Sequence, residues 1–163
     1  MEEVFIGLGS NIGDREGHLE DAIGMIKGKI GEVLSFSNIY ETEPWGFSSD
    51  DNFLNMVVRI KTGHGAVRLI NEILKVEKGL GRTRSGAQYE SRIIDIDILL
   101  YGDKIIKHSG LTIPHPLIQE RKFVLVPLCD LYQDGIHPVL KKSFLTLYEE
   151  CTDKCEVTLY KRM

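Results

Sequence analysis

From Ile94 to Ile98 the chain alternates one for one between isoleucine and aspartate, Ile94-Asp95-Ile96-Asp97-Ile98, and continues through Leu99, Leu100 and Tyr101 without another charge. A period of two belongs to a β-strand, so Ile94, Ile96, Ile98 and Leu100 are expected on one face and both aspartates on the other. Along such a strand the two carboxylates stand about 6.6 Å apart. Like charges repel at that range, and aspartate disfavours strands to begin with. The pattern therefore has two readings. Either the aspartates form a solvated outer face, or they hold a hard cation with oxygen ligands. Mg²⁺ suits the second best, because it keeps several waters and shares its shell with substrate phosphates.

The rest of the chain supplies a frame for this strand. Residues 4–8 are a short apolar run ending in glycines, a buried strand. Asp14 is placed to cap a helix running to about Lys29, on which Leu19, Ala22, Ile23, Ile26 and Ile30 recur at helical spacing. Residues 33–40 and 53–60 are β-rich, on either side of the loop Thr42-Glu43-Pro44-Trp45-Gly46. Residues 66–80 put Ala66, Leu69, Ile70, Ile73 and Leu80 on one helical face, and Gly79 and Gly81 stop that helix. A loop over 82–91 leads into a strand over 93–101. The order β-α-β-β-α-β predicts a ferredoxin-like α+β sandwich, a mainly antiparallel sheet with helices on one face. Short helices around 125–131 and 144–150 would form a C-terminal extension, and residues 1–163 are expected to make a single domain.

Charge narrows the function. Lys and Arg number 20 against 24 Asp and Glu, a net charge of −4, which excludes holding nucleic acid by sequence-independent electrostatics. Any anion site must be local, and one is visible: Arg82, Arg84 and Arg92 bracket a glycine-containing loop with only Glu90 opposing them. Arginine suits planar, bidentate phosphate recognition. With Ser85 and Gly86 inside it and almost no apolar anchor, this loop is expected to act as a lid over a phosphate ligand. His115, Arg121 and Lys122 add titratable or positive groups downstream. Phe53 and Asn55 share one strand face, with Leu54, Met56 and Val58 on the other. An aromatic plane beside an amide suits a flat heterocycle, or else Phe53 belongs to the core and Asn55 caps a sheet edge. The stretch from Gly7 to Gly13 lacks the G-x-G-x-x-G register and any P-loop lysine, so a tight strand-to-helix turn, with Asn11 facing a pocket, is expected instead. Three cysteines, an odd number without an export signal, read as reduced thiols, and Cys151 and Cys155 have no following histidine and no fourth ligand to make a zinc site. The acidic start Met1-Glu2-Glu3 and the lack of a long apolar run predict a cytoplasmic protein without a membrane anchor.

Six motifs then stand in order: Gly9-Ser10-Asn11; Tyr40-x-Thr42-x-Pro44; Phe53-Leu54-Asn55; Leu80-Gly81-Arg82-x-Arg84; Arg92-x-x-Asp95-x-Asp97-Ile98-Leu99; and Pro114-His115-Pro116 with Arg121-x-Phe123-Val124 and Pro127-Leu128. Together, from Phe5 to about Leu128, they resemble the 6-hydroxymethyl-7,8-dihydropterin pyrophosphokinases. The resemblance implies the folate-pathway step in which ATP gives a pyrophosphoryl group to the pterin's hydroxymethyl oxygen and leaves as AMP. It implies two Mg²⁺ ions held by Asp95 and Asp97, and Arg82 and Arg92 as catalytic contacts to phosphate oxygens. Glu77, Arg84, Ile98, Thr112, His115 and Arg121 would serve ATP. Phe53 and Phe123 would sandwich the pterin, with Thr42, Pro44, Trp45, Asn55 and Tyr89 completing its site. The partners implied are ATP and the hydroxymethylpterin, with no nucleic acid and no membrane, for a monomer.

Departures from the family pattern concentrate before the aspartate pair. Where the family usually has a basic residue, a tryptophan and Gly-Pro, this chain has Gln88-Tyr89-Glu90-Ser91, losing a cation and gaining an anion. A common tyrosine is Phe53, a glutamine of the second helix is Leu74, and a basic residue before Leu111-Thr112 is Gly110. Two other readings remain at this point: a nucleotide-binding relative without turnover, and a ferredoxin-like RNA-recognition module. The second is opposed by the net charge and by aspartates on the strand that would stack bases.

Overall fold

The structure, a computed structural model, describes residues 1–82 and 91–163. Its strands are β1 (Glu2–Ser10), β2 (Glu32–Phe36), β3 (Ile39–Thr42), β4 (Phe53–Thr62), β5 (Asp95–Tyr101), β6 (Ile106–His108), β7 (Leu111–Ile113) and β8 (Val157–Lys161). Its helices are α1 (Arg15–Lys29), α2 (Ala66–Gly79), α3 (Lys122–Tyr132) and α4 (Phe144–Glu150). Among the described residues the main sheet has six strands in the order β5-β1-β4-β3-β8, with β2 also pairing β4; β6 and β7 form a separate hairpin. Every pairing is antiparallel. The expected α+β sandwich is present.

Strand alternation builds its first layer. Val4, Ile6 and Leu8 of β1, Leu54, Met56, Val58 and Ile60 of β4, and Ile94, Ile96 and Ile98 at β5 point to one side. There they meet Leu19, Ala22 and Ile26 of α1 and Leu69, Ile73 and Val76 of α2. Asp14 starts α1 as expected, its Oδ1 accepting the Gly17 N–H at 3.0 Å. The single β-rich run over 33–40 is divided into β2 and β3 at Ser37, which is buried. Its N–H donates to the Val57 carbonyl and its Oγ accepts the Val57 N–H, both at 2.9 Å.

The opposite face of the sheet carries a second core. Phe5, Val57, Leu99 and Leu100 pack there against Ile118, Val124, Leu125 and Leu128, and against Phe144 and Leu147 of α4. The C-terminal extension thus covers the second face, and it also covers the open sheet that an RNA-recognition module would need. Leu100 departs from its expected side. The pairing of β1 with β5 shifts register between Phe5 and Ile6, Phe5 facing Leu100 while Ile6 faces Ile98. That bulge at Leu99 breaks the alternation, so Leu99 and Leu100 both join the second core and Tyr101 returns to the first. Among the described residues no helix is long and apolar enough to cross a membrane.

Candidate active site

The two cores leave one end of the second sheet face open, and a cavity of about 350 Å³ lies there, a size ordinary for small-molecule sites. Its floor is set by two glycines. Gly7 and Gly9 lie two apart on β1, between β5 and β4, opposite Asp97 and Asp95 on one side and Val57 and Asn55 on the other. With no side chain on that strip, a groove runs between the carboxylates of β5 and the amide of β4. A Cβ added to Gly9 would stand 3.2 Å from Asn55 Oδ1 and 3.6 Å from Phe53 Cδ1. The same glycines that fail as a dinucleotide motif serve as a floor; the signal in the sequence was their period of two within a strand.

On the β4 side, Asn55 is buried and its Nδ2 donates to Thr42 Oγ1 at 2.8 Å. This bond fixes the amide orientation and leaves Oδ1 above Gly9. Phe53 lies beside it, with Phe47 edge-on at a centroid distance of 6.1 Å. Across the groove Arg121 stacks over Trp45 at 4.6 Å and over Phe123 at 5.5 Å. Aromatic planes, an amide and a planar cation therefore converge at this end.

The β5 side is dense with charge. Helix α2 ends in a Schellman motif: the Gly81 N–H donates to the Lys78 carbonyl and the Arg82 N–H to the Glu77 carbonyl, with Gly81 at φ +89°. This turn folds Arg82 back over the helix end. Its Nη1 meets Glu77 Oε1 at 2.5 Å and Asp95 Oδ1 at 2.7 Å, while Arg92 Nη1 meets Asp95 Oδ2 at 2.9 Å. Glu77 Oε1 also accepts the Ile96 N–H at 2.9 Å. The start of the acidic strand is clamped by Asn11: Oδ1 accepts the Arg92 N–H at 2.7 Å, and Nδ2 donates to Ser91 Oγ and the Asp51 carbonyl. Asn11 does not line the cavity; it braces the segments that carry Arg92 and Phe53.

Burial, reinforced by the neighbouring Asp95 carboxylate, pushes Asp97 up to about 8, against the pull of Arg121 and Arg92. His115 moves the other way, to about 4, through burial and then the Arg121 charge. It is therefore neutral near pH 7. Its Nδ1 accepts the Leu117 N–H at 3.1 Å, which leaves the proton on Nε2. Its own N–H donates to the carbonyl of Leu99, the bulged residue of β5.

Of the residues expected here, the structure brings Thr42, Trp45, Phe53, Asn55, Arg82 and Arg92 to the cavity, together with Asp95, Asp97, His115, Arg121 and Phe123. Four are not on its wall. Pro44 is left out between neighbours that do line it. Glu77 is buried beneath Arg82, Ile98 points into the first core, and Thr112 is exposed on the β6–β7 hairpin. Arg84 and Tyr89, the rest of the expected lid and the departures at Gln88 and Glu90 lie outside the described residues. Phe47, Leu117 and Gly7 of the floor carried no motif in the sequence.

Among the described residues no group of three or more histidines, cysteines or acids is gathered to hold a metal. The donor set on offer is the Asp95–Asp97 pair, whose mutual repulsion a cation would relieve. Two carboxylates open to a cavity fit Mg²⁺, which completes its shell with water and phosphate.

The profile of the 7,8-dihydro-6-hydroxymethylpterin-pyrophosphokinase family matches residues 5–133. An Aquifex aeolicus 2-amino-4-hydroxy-6-hydroxymethyldihydropteridine pyrophosphokinase is 39% identical over 154 residues, 94% of this chain and 95% of that protein. A Bacillus subtilis protein of the same name is 42% identical over 131 residues, 80% of this chain and 78% of its own. The Plasmodium falciparum HPPK-DHPS crystal structure superposes with a TM-score of 0.73 at 18% identity, covering 92% of this chain and 43% of that one. That last likeness is one of fold.

Proposed function

The chain belongs to the 7,8-dihydro-6-hydroxymethylpterin-pyrophosphokinase family, and on that premise we propose how its cavity carries out the reaction. The enzyme transfers the pyrophosphoryl group of ATP to the hydroxymethyl oxygen of 6-hydroxymethyl-7,8-dihydropterin, in folate synthesis. One observation carries the assignment of parts: the glycine floor of β1 separates a carboxylate wall from an amide and aromatic wall, so two chemically different substrates lie side by side.

The pterin takes the β4 end. Its ring lies between Phe53 and Phe123, and Asn55, oriented by Thr42, reads its amide edge with one acceptor and the remaining amide hydrogen. ATP takes the β5 end. Two Mg²⁺ ions at Asp95 and Asp97 would supply charge neutralisation for the triphosphate and acidify the attacking hydroxyl. Arg82 and Arg92 exchange Asp95 for phosphate oxygens as the nucleotide arrives, a swap of one charge-assisted contact for another. Arg82 keeps Glu77 as an anchor through that exchange. Neutral His115 donates from Nε2 to a phosphate oxygen, and Arg121 adds positive charge between the two substrates. Positioning and charge neutralisation then carry most of the rate, as phosphoryl-type transfers require.

The test is incubation with ATP, Mg²⁺ and the hydroxymethylpterin, resolving nucleotide products. AMP and a pterin diphosphate are expected in equal amounts. ADP with a pterin monophosphate would overturn the reading.

A further inference from the structure

Residues 151–156 lie beyond the family-matched span of 5–133 and carry no motif, yet they connect both walls of the cavity from behind. Asp153 Oδ2 accepts the Lys122 N–H at 3.0 Å, and Oδ1 accepts the N–H of Cys155 at 2.9 Å. Lys122 is the first residue of α3. The N-cap position before it is Arg121, whose side chain makes no capping bond, so the helix begins without a local cap. Asp153 supplies that bond from a distant segment, with a negative charge at the positive end of the helix dipole.

The capped amide sits between Arg121 and Phe123, the two residues of this wall that face the aromatic end of the cavity. Two residues further on, the Cys155 thiol lies 3.8 Å from the Glu43 carbonyl, and Val157 pairs with Thr42. The opposite wall, Thr42 to Trp45, is therefore tied to the same segment. The Arg121–Trp45 stack at 4.6 Å spans the gap that this tie sets.

We infer that Asp153 is a positioning residue for pterin binding, acting through the Lys122 amide to hold Arg121 and Phe123 opposite Trp45. The inference rests on the proposed role of Phe123 and extends it to a segment outside the family pattern.

Three variants test it in steady-state kinetics. Asp153→Ala is expected to raise the pterin KM about tenfold, with kcat within about threefold of wild type, because losing a cap costs binding geometry and not chemistry. Asp153→Asn keeps one acceptor oxygen for the Lys122 N–H but loses the second bond to the Cys155 N–H, so its KM should lie between those of wild type and Asp153→Ala. Lys122→Pro removes the donor from the other side. Proline is accepted at a first helical position, and Arg121, at φ −125° and ψ 102°, already has the extended backbone a following proline needs. It should match Asp153→Ala, and the double variant should be no worse than either single one.

Trp45 is the sole tryptophan, so its emission reports the stack directly and should change in Asp153→Ala and less in Asp153→Asn. Phe123→Ala separates the two claims. If it leaves the pterin KM unchanged, the reading of the cavity fails. If it raises KM while Asp153→Ala and Lys122→Pro do not, Phe123 stands and the positioning role is overturned. A fall in melting temperature with unchanged KM counts against the role as well. Should Asp153→Ala not fold, Asp153→Asn and Lys122→Pro decide between the same outcomes.

Discussion

The two walls of the cavity are built on different physics. The β4 wall is neutral: Asn55 is held by one uncharged hydrogen bond to Thr42, Phe53 by packing, and both keep groups aimed into the groove. The β5 wall is ionic and satisfies itself, with both oxygens of Asp95 taken by Arg82 and Arg92. A ligand at the first wall fills a prepared shape. A ligand at the second displaces contacts that already exist, and does so only if it offers the aspartate a cation and the arginines an anion. A magnesium–triphosphate complex offers both at once. On this difference the first wall is expected to set substrate affinity, and the second to set turnover and respond to ions and pH.

The largest effect that would break this comparison lies on the ionic wall. Asp97→Asn should reduce turnover by roughly three orders of magnitude in stopped assays, since metal and phosphate neutralisation carry most of the catalysis. Its metal-free melting temperature should be unchanged or higher, because a buried carboxyl that resists ionising, and whose ionised form Asp95 would repel, is gone. Near-normal turnover would return the pair to a solvated face.

On the neutral wall the expected effect is smaller and falls on affinity. Gly9→Ala places a Cβ 3.2 Å from Asn55 Oδ1, so the amide must shift. Pterin KM should rise about tenfold, the worth of one displaced hydrogen bond, with ATP KM nearly constant. Equal changes in both would mean that the groove is not divided as described.

The smallest effect is a pH slope. Asp97 is raised from 3.8 to about 8, so its contribution to stability is full below pH 3.8 and is lost as pH rises towards 8. His115 is lowered from 6.5 to about 4, so its contribution is full above 6.5 and is lost as pH falls towards 4. The two oppose each other between pH 4 and 6.5. Of this pair, only Asp97 acts between 6.5 and 8. Metal-free melting temperature should fall across that upper window, and Asp97→Asn should remove the fall. A slope that survives in the variant would assign it to another group.

Much of this was legible in the sequence because it rests on local periodicity. The Asp95–Asp97 face, the Phe53–Asn55 face and the Asp14 cap each follow from side chains a few residues apart. The division of residues 33–40 at Ser37 was not legible, since it depends on bonds to Val57 across the sheet. Nor was the bulge at Leu99, which depends on the register of β1 against β5 and sends Leu100 to the second core. Motif resemblance found the residues that reach the cavity more readily than those that support it. Glu77 matched the family yet lies under Arg82, and Asn11 turned out to brace two segments behind the walls. Such supporting contacts join residues 5 to 81 positions apart, and no short pattern records them.

The most direct test of the ionic wall is a calorimetric titration of a non-hydrolysable ATP analogue, with and without Mg²⁺, into wild type and Asp95→Asn. Wild type should gain at least about tenfold in affinity from Mg²⁺. In Asp95→Asn that gain should vanish, while Mg²⁺-free affinity rises above wild type because Arg82 and Arg92 are released to the phosphates. A variant that keeps the full Mg²⁺ gain and binds the metal-free analogue no more tightly would contradict the account.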